Sequence, residues 1–180
     1  MNGQPCVTGS PHETVLVAVD GSAWSGAAVR WAAAEADRRN ARLHAVHVVE
    51  PGQPEATPPD HDVQRKLDLA RQSVPGRVGD WVFRSGVEVE IAVSVVTGHL
   101  AGQVARESAD AALVVIGAPE SRHHSDLPAD LMSRCLCPVV MVGPLGDVTY
   151  LRAPAHPPPS GAGHPGLVTC RVVDRAGRGR

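Results

Sequence analysis

The sequence predicts a three-layer α/β domain, a parallel sheet wound with helices on both faces. Short β-branched apolar runs alternate with segments whose apolar residues recur at helical spacing, in the order β-α-β-α-β-α-β-α-β. That alternation implies parallel strands joined by right-handed crossovers, each laying a helix on one face. Aromatic residues make up only 3% of the 180, so the core must rest on Val, Leu, Ile and Ala. β-branched strands against small-faced helices suit that composition.

The first strand is Val15-Leu16-Val17-Ala18-Val19, ended by Asp20-Gly21-Ser22; an apolar run without alternation marks a strand buried on both faces. From about Ser25 to Asn40 the chain is Ala-rich, with Ala28, Trp31, Ala32 and Ala36 on one helical stripe. Arg38, Arg39 and Asn40 provide the positive charge and the left-handed cap residue that favour a helix end there. Leu43 to Val49 is the second strand, followed by a loop broken by Pro51, Pro54, Pro58 and Pro59. Asp62 to Ser73 reads as a second helix on Val63, Leu67 and Ala70, stopped by Pro75-Gly76. Val87 to Val96 alternates as a half-exposed strand, and Thr97-Gly98 turns the chain into a helix on Leu100, Val104, Ala105 and Ala109. Leu113 to Ile116 is the fourth strand, ending at Gly117. After a polar loop, Leu127, Leu131 and Cys135 share a stripe, with Asp126 placed to cap that helix and Pro128 in its first turn. Val139 to Val142 is the fifth strand.

This divides the chain into a flexible N-terminus at 1–12, a domain at 13–145 and a Pro/Gly-rich tail at 146–180 that is expected to be disordered. Within the tail only Leu167 to Val173 has the composition of a short strand. Residues 1–150 carry 12 basic and 18 acidic side chains, and 151–180 carry five basic and one acidic. An acidic domain argues against a nucleic-acid surface. No apolar run approaches the roughly 20 residues that span a bilayer, so no membrane partner is expected. The first residues lack the basic start and apolar stretch of a signal peptide. Four cysteines, Cys6, Cys135, Cys137 and Cys170, are too few and too clustered for a secreted disulfide framework. The expected location is cytoplasmic.

Several stretches together resemble the universal stress protein family. They are Val15 to Ser22 followed by an Ala-rich helix containing Trp31; His47-Val48-Val49-Glu50-Pro51; Val95-Val96-Thr97-Gly98 opening a helix; Ala109-Asp110 before a Val-rich strand; and Cys137-Pro138-Val139-Val140-Met141-Val142. Their order and spacing fit from about Glu13 to Pro144. The resemblance implies a five-stranded sheet of order 3-2-1-4-5, homodimers and roles in stress adaptation. It also implies ATP as the cofactor in those members that bind it, held where strands 1 and 4 diverge. On this chain the implied nucleotide-binding positions are Asp20, Gly21, Ser22, Val48 and Gly117. Asp20 is equally well read as a turn residue bonding its own loop. The family's phosphate loop, Gly-x-x-Gly, nine residues, then Gly-Ser or Gly-Thr, is not matched. Counting forward from Gly117 puts Glu120, Asp130 and Leu131 at those positions; counting back from Cys137-Pro138 puts Ser125 and Asp126 at the last pair. Glu120 and Asp126 bring negative charge to a place meant for phosphates.

No other pattern indicates chemistry. His123-His124 with Cys135 and Cys137 lacks zinc-ligand spacing, so no metal is expected. A redox role for Cys135, Cys137 or Cys170 rests on the presence of thiols alone. Ser22 and Ser25 have no histidine placed by sequence to activate them, and His44 and His47 are explained by packing or solvent. The reading is therefore a non-catalytic universal stress protein, a regulatory or interaction module with weak or lost ATP binding and no catalytic residues. The alternatives are a stress protein that binds ATP or another nucleotide, and a slow nucleotide hydrolase. The expected assembly is a homodimer through the strand Val139–Val142, whose apolar backbone edge lacks protection, with a further protein partner left unnamed.

Overall fold

The computed structural model describes residues 13–51, 59–118, 126–151 and 167–170. Along the chain run β1 (Thr14–Val19), α1 (Ala23–Arg39), β2 (Arg42–Val49), α2 (Pro59–Phe83), β3 (Ile91–Thr97), α3 (Leu100–Glu107), β4 (Ala111–Gly117), α4 (Leu127–Arg134), β5 (Val139–Val142), β6 (Val148–Leu151) and β7 (Leu167–Cys170). One sheet orders them β6-β5-β4-β1-β2-β3-β7. The expected 3-2-1-4-5 core is present and parallel throughout, with β1 central between β2 and β4.

The sheet buries both faces. On one side α1 and α2 cover Val15, Val17, Leu43, Ala45, Val93, Val115 and Val140. On the other, α3 and α4 cover Leu16, Val46, Val114, Ile116 and Val139. Alternate residues of each strand therefore enter different cores, which is why β1 and β4 are continuous apolar runs. Helix α1 lies close on the sheet because Ala28, Ala32 and Ala36 present almost no bulk and are fully buried. Asn40 ends it in the left-handed region at φ 52°, its N–H reaching Ala36 and Asp37 carbonyls, as expected.

Four expectations are corrected. Helix α2 does not stop at Pro75 but runs to Phe83. Its buried stripe runs through Val74 and, past the proline, continues as Val78 and Val82. A helix-interior proline costs about 3 kcal/mol, whereas burying the two valines beyond it returns roughly 1.5–3 kcal/mol each. Packing wins. The third strand begins at Ile91, while Val87 and Val89 pack on the α1/α2 core from an extended lead-in. The sheet has seven strands, not five, because two antiparallel strands extend its ends. And β5 is not an edge: Val139↔Leu151 through Val142↔Val148 pair it with β6.

The β5–β6 turn explains that last correction. Gly143 donates to the Asp147 carbonyl at 2.8 Å, and Gly146, at φ 85°, donates to the Gly143 carbonyl at 3.1 Å. A Pro/Gly average over the tail hides the β-forming Val-Thr-Tyr-Leu run directly behind this turn. The expected disorder of 146–180 thus fails for Val148–Leu151 and for the backbone of Leu167–Cys170; residues 152–166, 171–180 and the expected flexible 1–12 lie outside the described residues.

Candidate functional site: the crevice at the carboxyl ends of β1 and β4

β1 sits between β2 on one side and β4 on the other, so the chain leaves it in opposite directions and a crevice opens at the carboxyl edge. The loop from β1 to α1 forms its floor. Gly21 is at φ +88°, a conformation that favours glycine, and a Cβ there would stand 2.6 Å from Arg77 Nη1. Arg77, exposed on α2, donates to the Gly21 carbonyl at 3.2 Å. Ser22 is the N-cap of α1, its hydroxyl accepting the Ser25 N–H at 3.2 Å.

Asp20 closes this loop on itself. Its Oδ1 accepts the Ser22 N–H at 2.8 Å and a short bond from the Ser25 hydroxyl, while its own N–H donates to Ser25 Oγ at 3.0 Å. Partial burial pushes the Asp20 carboxyl up, but the bonds from Ser25 and Ser22 outweigh it and hold the group below its ordinary value. Ser25 itself is 3% exposed. A hydroxyl that enclosed positions the carboxylate.

The other implied positions gather around the same loop. Gly117, at the end of β4, lies against the first turn of α1: a Cβ would meet the Trp24 carbonyl carbon and oxygen at 3.1 Å. The glycine therefore serves close packing between β4 and α1. Val48 is half-buried on the α3/α4 side, one residue beyond the Val19↔His47 pair that ends the β1–β2 ladder. His47 faces the other side, where its Nδ1 lies 2.7 Å from the Val19 carbonyl. A carbonyl only accepts, so Nδ1 carries the proton. The structure brings Asp20, Gly21, Ser22 and Gly117 together around the start of α1 and leaves Val48 on the neighbouring strand β2.

Both helix starts on the α3/α4 face are acidic. Glu50, just past β2, accepts the Leu100 N–H at 3.0 Å and occupies the amino end of α3. At α4, Asp126 holds the N-cap position in helical geometry without a side-chain capping bond, and Asp130 lies in the first turn. The expected capping role of Asp126 is not observed. Glu120, Ser125, His123 and His124 lie outside the described residues.

Sequence reasoning missed Arg77, Glu50 and the positioning role of Ser25. Ser25 has a local signal, since Asp20, Ser22 and Ser25 are spaced for a turn followed by an N-cap. Arg77 has none, being 56 residues from the glycine it touches.

Two further groups of residues are enclosed. His44 Nε2 lies 2.8 Å from Ser94 Oγ and 4.0 Å from Glu107 Oε2, bringing β2, β3 and α3 together in a cluster buried from solvent. Cys135 and Cys137 are both buried in the α3/α4 core. Burial pushes the Cys135 thiol up against a hydrogen bond with Ser108, and burial together with Cys135 pushes Cys137 to about 11. Both are protonated and inert near neutral pH. Among the described residues no group of three or more His, Cys, Asp or Glu is placed to hold a metal.

The sequence model of the universal stress protein family matches residues 11–143. A universal stress protein of Mycobacterium tuberculosis strain H37Rv is 28% identical over 148 residues, covering 74% of this chain and 50% of that protein. The chain thus spans about half the length of that curated relative. A crystal structure of a family protein from Burkholderia pseudomallei is also 28% identical, covering 74% of this chain and 98% of its own, with a TM-score of 0.59. A universal stress protein in complex with cAMP shares the fold at 22% identity and a TM-score of 0.54, covering 74% of this chain and 98% of its own. With this order of strands and this match over most of its length, the chain belongs to the universal stress protein family.

Proposed function

We propose that the protein is a non-catalytic regulatory stress protein, an interaction module whose crevice holds ATP weakly or not at all. The observation that carries this reading is the acidic start of α4, with Asp126 at the N-cap and Asp130 in the first turn. A triphosphate at that helix end needs backbone donors and positive potential. A carboxylate about 4 Å from a phosphate charge instead costs about 1 kcal/mol even at the dielectric of water, and more in a sheltered crevice. Asp20 is engaged by its own loop, in keeping with the turn reading. The acidic start of α4 and an Asp20 engaged by its own loop therefore do not fit a triphosphate. Burial of Ser25 and of the His44 cluster speaks against a hydrolase at either place.

A second reading is a nucleoside monophosphate ligand. The crevice retains Asp20, Gly21, Ser22, Val48 and Gly117, and one phosphate demands less of the missing loop than three. The relative solved with cAMP gives that class a precedent. Isothermal titration separates the readings. The first expects ATP–Mg²⁺, AMP and cAMP all to bind more weakly than about 100 μM, near −5.5 kcal/mol. Low-micromolar ATP refutes it, and tight cAMP or AMP with weak ATP establishes the second.

Self-association as a homodimer belongs to the same proposal, with β6 rather than β5 as the strand presented at that end of the sheet. Light scattering on the full chain tests it. A cytoplasmic setting fits the unpaired, protonated Cys135 and Cys137 and a fold in which no helix among the described residues is long and apolar enough to cross a membrane.

A further inference from the structure

Away from the crevice, the outer face of α1 carries a trough of about 390 Å³. Ala27, Arg30, Trp31 and Ala34 line it at helical spacing, together with Ser85 and with Pro144, Leu145 and Gly146 of the β5–β6 turn. The small alanines leave the space, and the Trp31 indole is only partly buried beside it. Leu145 is a 94% exposed apolar side chain on the rim, with nothing over it among the described residues. The trough's single charge is Arg30, which makes no ion pair or hydrogen bond among the described residues, unlike Arg38, Arg39, Arg65 and Arg71.

We propose that this trough docks a short segment of a partner protein carrying a bulky apolar side chain beside a carboxylate. The apolar group fills the space over Ala27 and Ala34 against Trp31, Leu145 closes over it, and the carboxylate pairs with Arg30. Charge complementarity selects this occupant: a basic segment would meet an unpaired guanidinium, and a purely apolar one would leave it unused. The volume lies at the small end of ligand clefts, enough for one or two side chains, and the open form suits a peptide. The proposal rests on the interaction-module reading, yet it is independent of the crevice, so nucleotide and peptide titrations fail separately.

The test is nuclear magnetic resonance titration of the full chain with the blocked peptide GLDLG, its lysine counterpart GLKLG and its serine counterpart GSDSG. We expect saturable shifts of the Trp31 indole N–H and the Leu145 methyls with GLDLG, at a dissociation constant below about 1 mM. GLKLG and GSDSG should bind at least about fivefold more weakly. Arg30→Gln should weaken GLDLG about threefold and remove the preference over GLKLG. Ala34→Glu, on an exposed position, should abolish binding without changing the melting temperature. Equal binding of the acidic and basic peptides, or no saturable shift at Trp31, overturns the proposal. Trp31 and Leu145 signals that move with protein concentration alone overturn it in favour of a second copy as occupant.

Discussion

Replacing Ser25 with Ala tests whether Asp20 is held by its own loop. The hydroxyl donates to Asp20 Oδ1 and accepts the Asp20 N–H at 3.0 Å, with a longer contact from the Ser22 hydroxyl at 3.5 Å. A hydrogen bond to a charged group is worth about 1.5–3 kcal/mol and a neutral one about 0.5–1.5 kcal/mol. At a site 3% exposed, water cannot replace either bond without moving the α1 turn. The expected loss at neutral pH is roughly 2–4 kcal/mol, or on the order of 6–12 °C in melting temperature for a domain of this size.

The pH dependence separates the two bonds. Asp20 has its folded value lowered, so its contribution is fully present above the unfolded value near 3.8 and fades as pH falls through the folded one. In urea denaturation, the gap between wild type and Ser25→Ala should stay constant from pH 7 to about 4 and narrow below it, leaving only the neutral bond. A neutral-pH gap under about 0.5 kcal/mol would show that the Ser25 bonds add little net stability. A gap that widens on acidification would refute the charge-assisted account.

Other outcomes follow from the same structure. Glu35 is pulled down to about 2, first by its hydrogen bond from Arg38, against a burial effect, and then by Arg39. Because Arg38 is 68% exposed, solvent screening limits the pair, and Glu35→Gln should cost only about 1 kcal/mol above pH 4.5, the loss vanishing as pH approaches 2. Cys135 and Cys137 should resist a thiol reagent in the native protein and react with it on unfolding; prompt native reaction would contradict their burial. Ending the chain after Gly146 removes β6 and bares the Val139–Val142 edge, so the truncated protein should melt several degrees lower and self-associate more than the full chain by light scattering. An unchanged melting temperature would mean that β6 pairing adds no stability.

What the sequence made legible was the part governed by local pattern. β1, β4 and β5 are continuous apolar runs, and their apolarity comes directly from burial on two faces. Asn40 was readable because a left-handed cap has a short list of suitable residues. Position 75 was not readable, because the local rule against proline is overruled by Val74, Val78 and Val82 meeting a sheet that sequence neighbours do not display. β6 was hidden for a related reason. Four residues behind a Pro-Leu-Gly turn form a strand because β5 offers a hydrogen-bonding edge, and composition carries no information about that edge. The crevice divides the same way: Asp20, Gly21 and Ser22 are consecutive and announce a turn, whereas the bond from Arg77 to Gly21 depends on how α2 lies over α1.

The two added strands bear on how this protein meets others. A doubly wound sheet ordinarily ends in parallel strands whose backbone groups face outward, an invitation to pair with another chain. Here β5 is covered by β6 through a tight turn, and β3 by the antiparallel backbone of β7. Covering an edge in this way moves the point of contact. The β5–β6 turn that protects Val139–Val142 is also the turn that lifts Leu145 into solvent beside Trp31. β6 takes over the outer edge at that end of the sheet, and the same turn walls the proposed trough, with its apolar floor and one cation. Backbone edges accept nearly any strand, while a trough with one charge discriminates among partners. If the trough binds as proposed, it adds a selectivity that the backbone edge of β6 does not have.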